Sequence, residues 1–288
     1  MLRVTAGSGN EDYASIQEAI DSVPYNTKAE IIVSEGVYEE RLFSDKSDLV
    51  LRGEGSVIVR SSQGGYDRLG SRKRGTFRSA TAFFSGERLR LENLAIVNDA
   101  GPVSGQALAL YLDVREAFLD RVTLNSFQDT LFLAPLPDEE REKGGFYGPR
   151  HLLPRRPCRT VVTNSLVSGT VDFIFGGGDA LFEGCRIVSR GPGYIAAPSG
   201  RKDGTGLVFH RSVFTGTGPS YLMRPWRPEG KASFIECSFG EHIAAGLIAP
   251  WPGLEDELGR ASFALYGSGV PDNISAGEAS SILSAFSH

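Results

Sequence analysis

The chain is poor in the residues that most metal-dependent and redox enzymes need. Three cysteines, Cys158, Cys185 and Cys237, occur in 288 residues. They are odd in number, far apart and without a C-x-x-C pair, which excludes a disulfide framework and a zinc knuckle; buried free thiols are the expectation. Only four histidines are present, and none lies in a His-Glu-x-x-His pattern, so no metal is expected. Gly-x-Ser-x-Gly is missing too, which removes the commonest serine-esterase signature. No apolar run approaches the roughly 18 residues of a membrane span. The start, Met1-Leu2-Arg3-Val4-Thr5, lacks the apolar stretch of a secretory leader. The expected location is therefore cytoplasmic, or secreted with a leader already cut away. A formal charge of −5 argues against general nucleic-acid or anionic-membrane binding.

What the chain does have is glycine, 35 residues, which favours many tight turns over long helices. It also has a repeat. Six segments superimpose: Leu91–Ile96, Leu119–Leu124, Val162–Val167, Phe182–Ile187, Phe209–Phe214 and Phe234–Phe239. Their first and sixth positions are apolar, the third is mostly polar or Gly, and the fourth is small or aliphatic. First positions are 28, 43, 20, 27 and 25 residues apart. That period with β-type alternation marks a solenoid of stacked coils, each with short strands and turns. The predicted fold is all-β: one single-stranded, right-handed parallel β-helix domain over 1–288. Ser165, Cys185, Ser212 and Cys237 would form an inward column of small residues. An ordinary β-sandwich is the bland alternative.

The 43-residue interval contains 134–158, rich in Pro and Gly, and predicts a loop inserted between two coils and bordering the site. Apolar spacing at Tyr13, Ile16, Ile20 and Val23 predicts an N-terminal helix within about 11–24 that covers one end of the stack. A capping-box pattern at Ser275-Ala276-Gly277-Glu278 predicts a second helix, about 275–287, that caps the C-terminal end of the stack.

Two isolated acids carry the chemistry. Asp172 sits in Gly169-Thr170-Val171-Asp172-Phe173-Ile174-Phe175-Gly176 and Asp129 follows Gln128; both lie in apolar company, where a charge needs a partner or a task. With the loop removed, the two acids are about one coil apart, so stacking should set them on adjacent rungs near 4.8 Å spacing. Gln106 lies one coil earlier, and Arg224 two coils beyond Asp172. Two acids, a fixed cation and amide donors are sufficient for acid–base ester hydrolysis. Taken singly, each has a bland reading: a turn Asp, a stacked Gln ladder, a structural ion pair.

At these residues the chain resembles the pectin methylesterases (pectinesterases), in a bacterial-type form with a long loop between the two acids. The resemblance runs in order through Ser15–Ile20, Gly36–Glu40, Gln106–Leu110, Gln128–Leu131, the Asp172 segment and Arg224-Pro225-Trp226-Arg227. It implies hydrolysis of methyl-esterified polygalacturonate or its oligomers, with release of methanol and without a cofactor. It further implies Asp172 as nucleophile, Asp129 as general acid/base, Gln106 and Gln128 as oxyanion donors, and Arg224 as the group that orients Asp172. Trp226 is the expected sugar platform. Trp251, Phe175, Tyr147, Met223 and Arg150 are further candidates for substrate contact. Met223 departs from the Gly usual before Arg-Pro-Trp, and is expected to place a side chain near the groove. The segment Ala244–Trp251 departs as well. A monomer is expected. The competing readings are a β-helix polygalacturonase, whose Asn-Thr-Asp, Asp-Asp and Gly-His-Gly motifs do not occur, a pectate lyase, which would need clustered acids for calcium, and a non-catalytic carbohydrate-binding β-helix.

Overall fold

The computed structural model describes every residue except Ser8, Asn10 and His288. Among the described residues, regular structure is strand apart from two short α-helices and three 3-10 turns. Nineteen strands form one continuous sheet with parallel pairing. The sheet curls on itself because each rung pairs with the equivalent rung of the next coil. This is the parallel β-helix expected from the repeat.

The first position of each repeat lies in one column. Leu51 pairs with Leu91, Leu91 with Leu119, Leu119 with Val162, Val162 with Phe182, Phe182 with Phe209, Phe209 with Phe234, and Phe234 with Leu265. All these side chains are buried. The rings of Phe182, Phe209 and Phe234 stack at 4.8 and 4.9 Å. Stacking like on like fills each layer in the same way, so one coil's packing serves as template for the next.

The third position has a conformational cause that the residue pattern only hinted at. Asn93, Arg121, Asn164, Gly184, Arg211 and Glu236 all have φ between 48° and 60°. A single left-handed residue turns the chain sharply between two strands, and Gly or Asn meets that geometry at least cost. At the fourth position, the Ser165 hydroxyl accepts from Val122 N–H (2.9 Å), Ser212 from Cys185 N–H (3.1 Å) and Ser268 from Cys237 N–H (3.0 Å). The small-residue column therefore satisfies backbone donors that the turn leaves unpaired. Its thiols are buried and free, and burial pushes Cys185 and Cys237 up to about 12.

The insertion lies where expected. Leu119 pairs directly with Val162, so everything between Leu133 and Arg159 is outside the coil. An outward column of aromatic side chains runs in register through Phe43, Phe83, Tyr111, Phe132 and Phe175, and the insertion packs over all of it except the exposed Phe43. Phe77, Leu136, Phe146 and Cys158 close over that column to form a second apolar cluster.

Helix α1 (Ile16–Ser22) is shorter than the periodicity predicts. Tyr13 is drawn into a bridge with Ala6, and Asp12 bonds to Thr5 instead of starting a turn. The N-terminus of α1 is satisfied by Ser15 and by the Glu40 carboxylate, which accepts from Ile16 and Gln17 N–H at 3.0 Å. Ile16, Ala19 and Ile20 join the main core. Helix α2 (Ala276–Ser284) carries the capping box. Ala279, Ile282, Leu283 and Phe286 pack on Leu181, Val208, Ile235 and Tyr266, which are outward residues of four successive coils. α2 thus lies along the flank of the stack and not across its C-terminal end, because its apolar face meets outward residues of successive coils.

Candidate active site

The cleft lies over the aromatic column and has a volume of about 300 Å³. Five candidates from the sequence meet there: Gln106, Gln128, Asp129, Asp172 and Arg224. Coil register brings them together. Ala107 N–H donates to the Gln128 carbonyl, and Asp129 N–H to the Val171 carbonyl (3.0 and 3.1 Å). Arg224 N–H donates to the Ala196 carbonyl at 2.9 Å, two rungs beyond Asp172.

Both acids are held in left-handed backbone, φ 62° at Asp129 and 49° at Asp172. Asp is one of the few side chains that enters this region readily. At Asp172 the strand Leu166–Gly176 also slips register, since Val171 faces Tyr194 while Ile174 faces Ala196. Such a bulge turns a side chain out of the pleat. It aims Asp172 at the cleft while Phe173 and Ile174 stay in the core.

Asp129, Asp172 and Arg224 are 8%, 7% and 8% exposed. Arg224 grips Asp172 through both arms of the fork: Nε to Oδ1 at 3.1 Å and Nη2 to Oδ2. Its guanidinium is clamped between two rings, 3.7 Å from the Tyr194 centroid and 3.8 Å from that of Trp251. A planar cation sandwiched this way keeps the orientation that bidentate bonding needs. Burial pushes both carboxyls up, and the two then diverge. At Asp172 the Arg224 cation and its hydrogen bonds offset part of that rise, and the carboxyl stays above its ordinary value. At Asp129 the charge of Asp172 adds to burial and drives it well above the carboxylate range, against a weaker hydrogen bond from the Gln128 side chain and the Arg224 charge. The proton is thereby held more tightly at Asp129 than at Asp172.

Trp226 and Phe175 line the cleft, and Trp251 lines it through its position on Arg224. Trp226 belongs to a ring cluster with Phe175 (5.7 Å), Phe146 (5.9 Å) and Phe77 (6.4 Å). Three candidates are not in the cleft. Met223 is fully buried in the main core. Strand alternation places the residue before Arg224 inward, so its side chain never reaches the groove. Arg150 pairs with Asp113, which Arg156 also contacts. Tyr147 is exposed and meets the His151 ring edge to face.

Phe77, Phe146, Tyr194, Arg141 and Arg227 were not foreseen. Tyr194 was within reach of register reasoning, because it lies one coil beyond Val171. Phe77 and the insertion residues carry no periodic signal. Arg141 bonds to Glu257, and Arg227 Nη2 donates to the Glu139 carbonyl, so the insertion is tied to the far side of the cleft. Burial, with Arg141 nearby, lowers Arg227 to about 10.

A family model described as Pectinesterase matches residues 3–136 and 153–270. The stretch between those two spans lies within the insertion. "Pectinesterase 1" of Solanum lycopersicum is 30% identical over 272 residues, covering 87% of this chain and 45% of that protein. The chain spans about half the length of the first curated relatives it matches. Among solved structures, "Pectin methylesterase from Carrot" superposes with a TM-score of 0.80 at 24% identity, covering 96% of this chain and 89% of that one. A pectin methylesterase "in complex with hexasaccharide VII" gives 0.77 at 24% identity, covering 97% and 95%.

Proposed function

We propose, from the premise that this chain belongs to the pectinesterase family, that its cleft hydrolyses methyl esters of polygalacturonate (pectin) or its oligomers and releases methanol. The observation that carries this reading is the buried pair of acids on adjacent rungs, only one of which is held by a clamped arginine. The solved relative with a bound hexasaccharide supports a pectin-type ligand for this fold.

The steps follow from the two environments. Asp172, ionised against Arg224, attacks the ester carbonyl carbon. The carbonyl oxygen becomes an oxyanion beside the amides of Gln106 and Gln128. Each well-aimed donor at such a place contributes about 3–4 kcal/mol in a model enzyme. Collapse breaks the C–OCH₃ bond, and Asp129 gives its proton to the leaving oxygen, so methanol departs and an Asp172 anhydride remains. Asp129, now a carboxylate, takes a proton from water. The hydroxide adds to the acyl carbon, the C–O bond to Asp172 breaks to return its carboxylate, and the freed galacturonic carboxyl loses its proton to solvent. Asp129 has its proton again. Trp226 and the rings around it offer an apolar face to the sugar.

The test is methanol release from methyl-esterified polygalacturonate, measured together with reducing ends and unsaturated products. The reading expects methanol alone. Asp172→Asn and Asp129→Asn should each lower the rate by orders of magnitude with unchanged circular dichroism. Chain cleavage by the wild type would instead favour a glycosidase or lyase.

A further inference from the structure

The segment Gly64–Arg78 holds five cations and one acid in a protein whose net charge is −5. It forms the only antiparallel pair among the described residues: Arg68–Leu69 against Arg72–Lys73, joined by a two-residue Gly70-Ser71 turn with Gly70 at φ 65°. Gly at the first position suits such a hairpin turn. Arg68 stands directly opposite Lys73. Like charges facing each other across two strands are destabilising, and an isolated hairpin is marginal already. Among the described residues no acid pairs with Arg68 or Lys73. Asp67 is engaged by Arg74 at 4.0 Å and by Gly64 N–H. Arg68, Arg72 and Lys73 are exposed and make no ion pair among the described residues.

The hairpin is nevertheless well anchored, and its anchor is the cleft. Gly65 N–H donates to the carbonyl of Gln106 (2.6 Å), and Gly75 N–H to that of Gly65 (2.9 Å). Thr76 and Phe77, which follow at once, line the cleft. Arg78 reaches back to the Arg74 and Lys73 carbonyls. The Lys73 ammonium rests 4.2 Å from the centroid of the exposed Tyr66 ring.

We infer that this hairpin is an exosite for de-esterified stretches of the substrate polymer, a run of free uronate carboxylates held beside the cleft. The inference rests on the esterase reading, because a chain partly stripped of methyl groups is what that activity leaves next to the site. Repulsion that the fold does not need is relieved when carboxylates lie between the opposed cations. Tyr66 carries the Lys73 ammonium on its exposed ring and so holds that cation within the same patch.

The test is direct binding of fully de-esterified polygalacturonate to the whole chain, by calorimetry or affinity electrophoresis, at 50 and 200 mM salt. This measurement needs no turnover, so it stands apart from the outcome of the methanol assay. Replacing Arg68, Arg72 and Lys73 together by Ser should weaken binding by roughly tenfold, because exposed ion pairs contribute little each. It should also remove most of the salt dependence, which screening imposes on exposed charges. The melting temperature of this variant should equal or exceed that of the wild type, since a repulsion has gone; a merely structural hairpin would lose stability. Arg72→Glu alone should weaken binding in the same direction, and R68K/R72K should retain it. Unchanged affinity in the triple variant overturns the inference. A wild type that binds duplex DNA but not polygalacturonate overturns it as well.

Discussion

Removing the arginine fork is the most searching perturbation of this site. Arg224→Gln leaves a neutral side chain where the guanidinium bonded both oxygens of Asp172. Both side chains of that pair are 10% exposed, so water from the cleft replaces the lost partner only in part. Breaking a buried pair from one side costs about 3–5 kcal/mol. The carboxyl can escape that cost by taking up a proton, and a protonated Asp172 is no nucleophile. The rate constant for methanol release at neutral pH should therefore fall by roughly 10²–10³, the equivalent of about 3–4 kcal/mol at 1.36 kcal/mol per decade. A pH profile separates this cause from simple misfolding. In wild type the acid limb reports the ionisation of the pair that frees Asp172, and the alkaline limb reports loss of the Asp129 proton. Without the Arg224 cation the acid limb moves to higher pH, because the charge that pulled Asp172 down is gone. The alkaline limb moves the same way but less, since Arg224 is the weakest influence on Asp129. Arg224→Lys should recover only part of the activity: an ammonium keeps the charge but neither the fork nor the flat face between Tyr194 and Trp251. If Arg224→Gln turned over within threefold of wild type with the acid limb unmoved, the division of roles between the two acids would be wrong.

Further outcomes follow from the same geometry. Asp129 is raised in the folded state by burial and by Asp172, so the native protein binds more protons than the unfolded chain. Stability then falls as pH rises above the unfolded value of about 3.9, until the folded carboxyl has titrated too. Asp129→Asn should accordingly melt above wild type at pH 7–8, by about 1 kcal/mol, with the advantage gone near pH 3 on the same melts. Phe146→Ala removes a ring that touches both Phe77 and Trp226. It should raise KM for methyl-esterified oligomers about tenfold while kcat changes little, the signature of lost uniform binding. Gly176→Ala places a Cβ 2.0 Å from the Leu133 carbonyl oxygen at φ 129°. Backbone there cannot yield without breaking the coil next to Asp172, and thermal unfolding should show a loss of at least about 3 kcal/mol.

Coil architecture was open to reading because it is a local property repeated many times. Each repeat must bury its first, fourth and sixth residues and turn at its third, so the same chemistry recurs at Leu91, Leu119, Val162, Phe182, Phe209 and Phe234. A seventh repeat, Leu265–Val270, turns at Gly267 (φ 62°) and supplies Ser268; Tyr266-Gly267-Ser268-Gly269 blurs its apolar pattern. Asp129, Asp172 and Arg224 could be placed relative to one another for the same reason, since stacking converts a count of residues into a distance.

The sequence by itself thus determined the solenoid, the rung of each catalytic candidate and the presence of an insertion, all consequences of period and alternation. Tertiary structure decided whatever depends on contacts without a period. It set Trp251 against Arg224, turned Met223 into the core, gave Arg150 to Asp113, and brought Phe77 and Phe146 over the cleft. Which way one side chain leaves a strand end, and where a long loop comes to rest, is settled by the sum of many weak packing and charge terms. No single residue type reports that sum in advance.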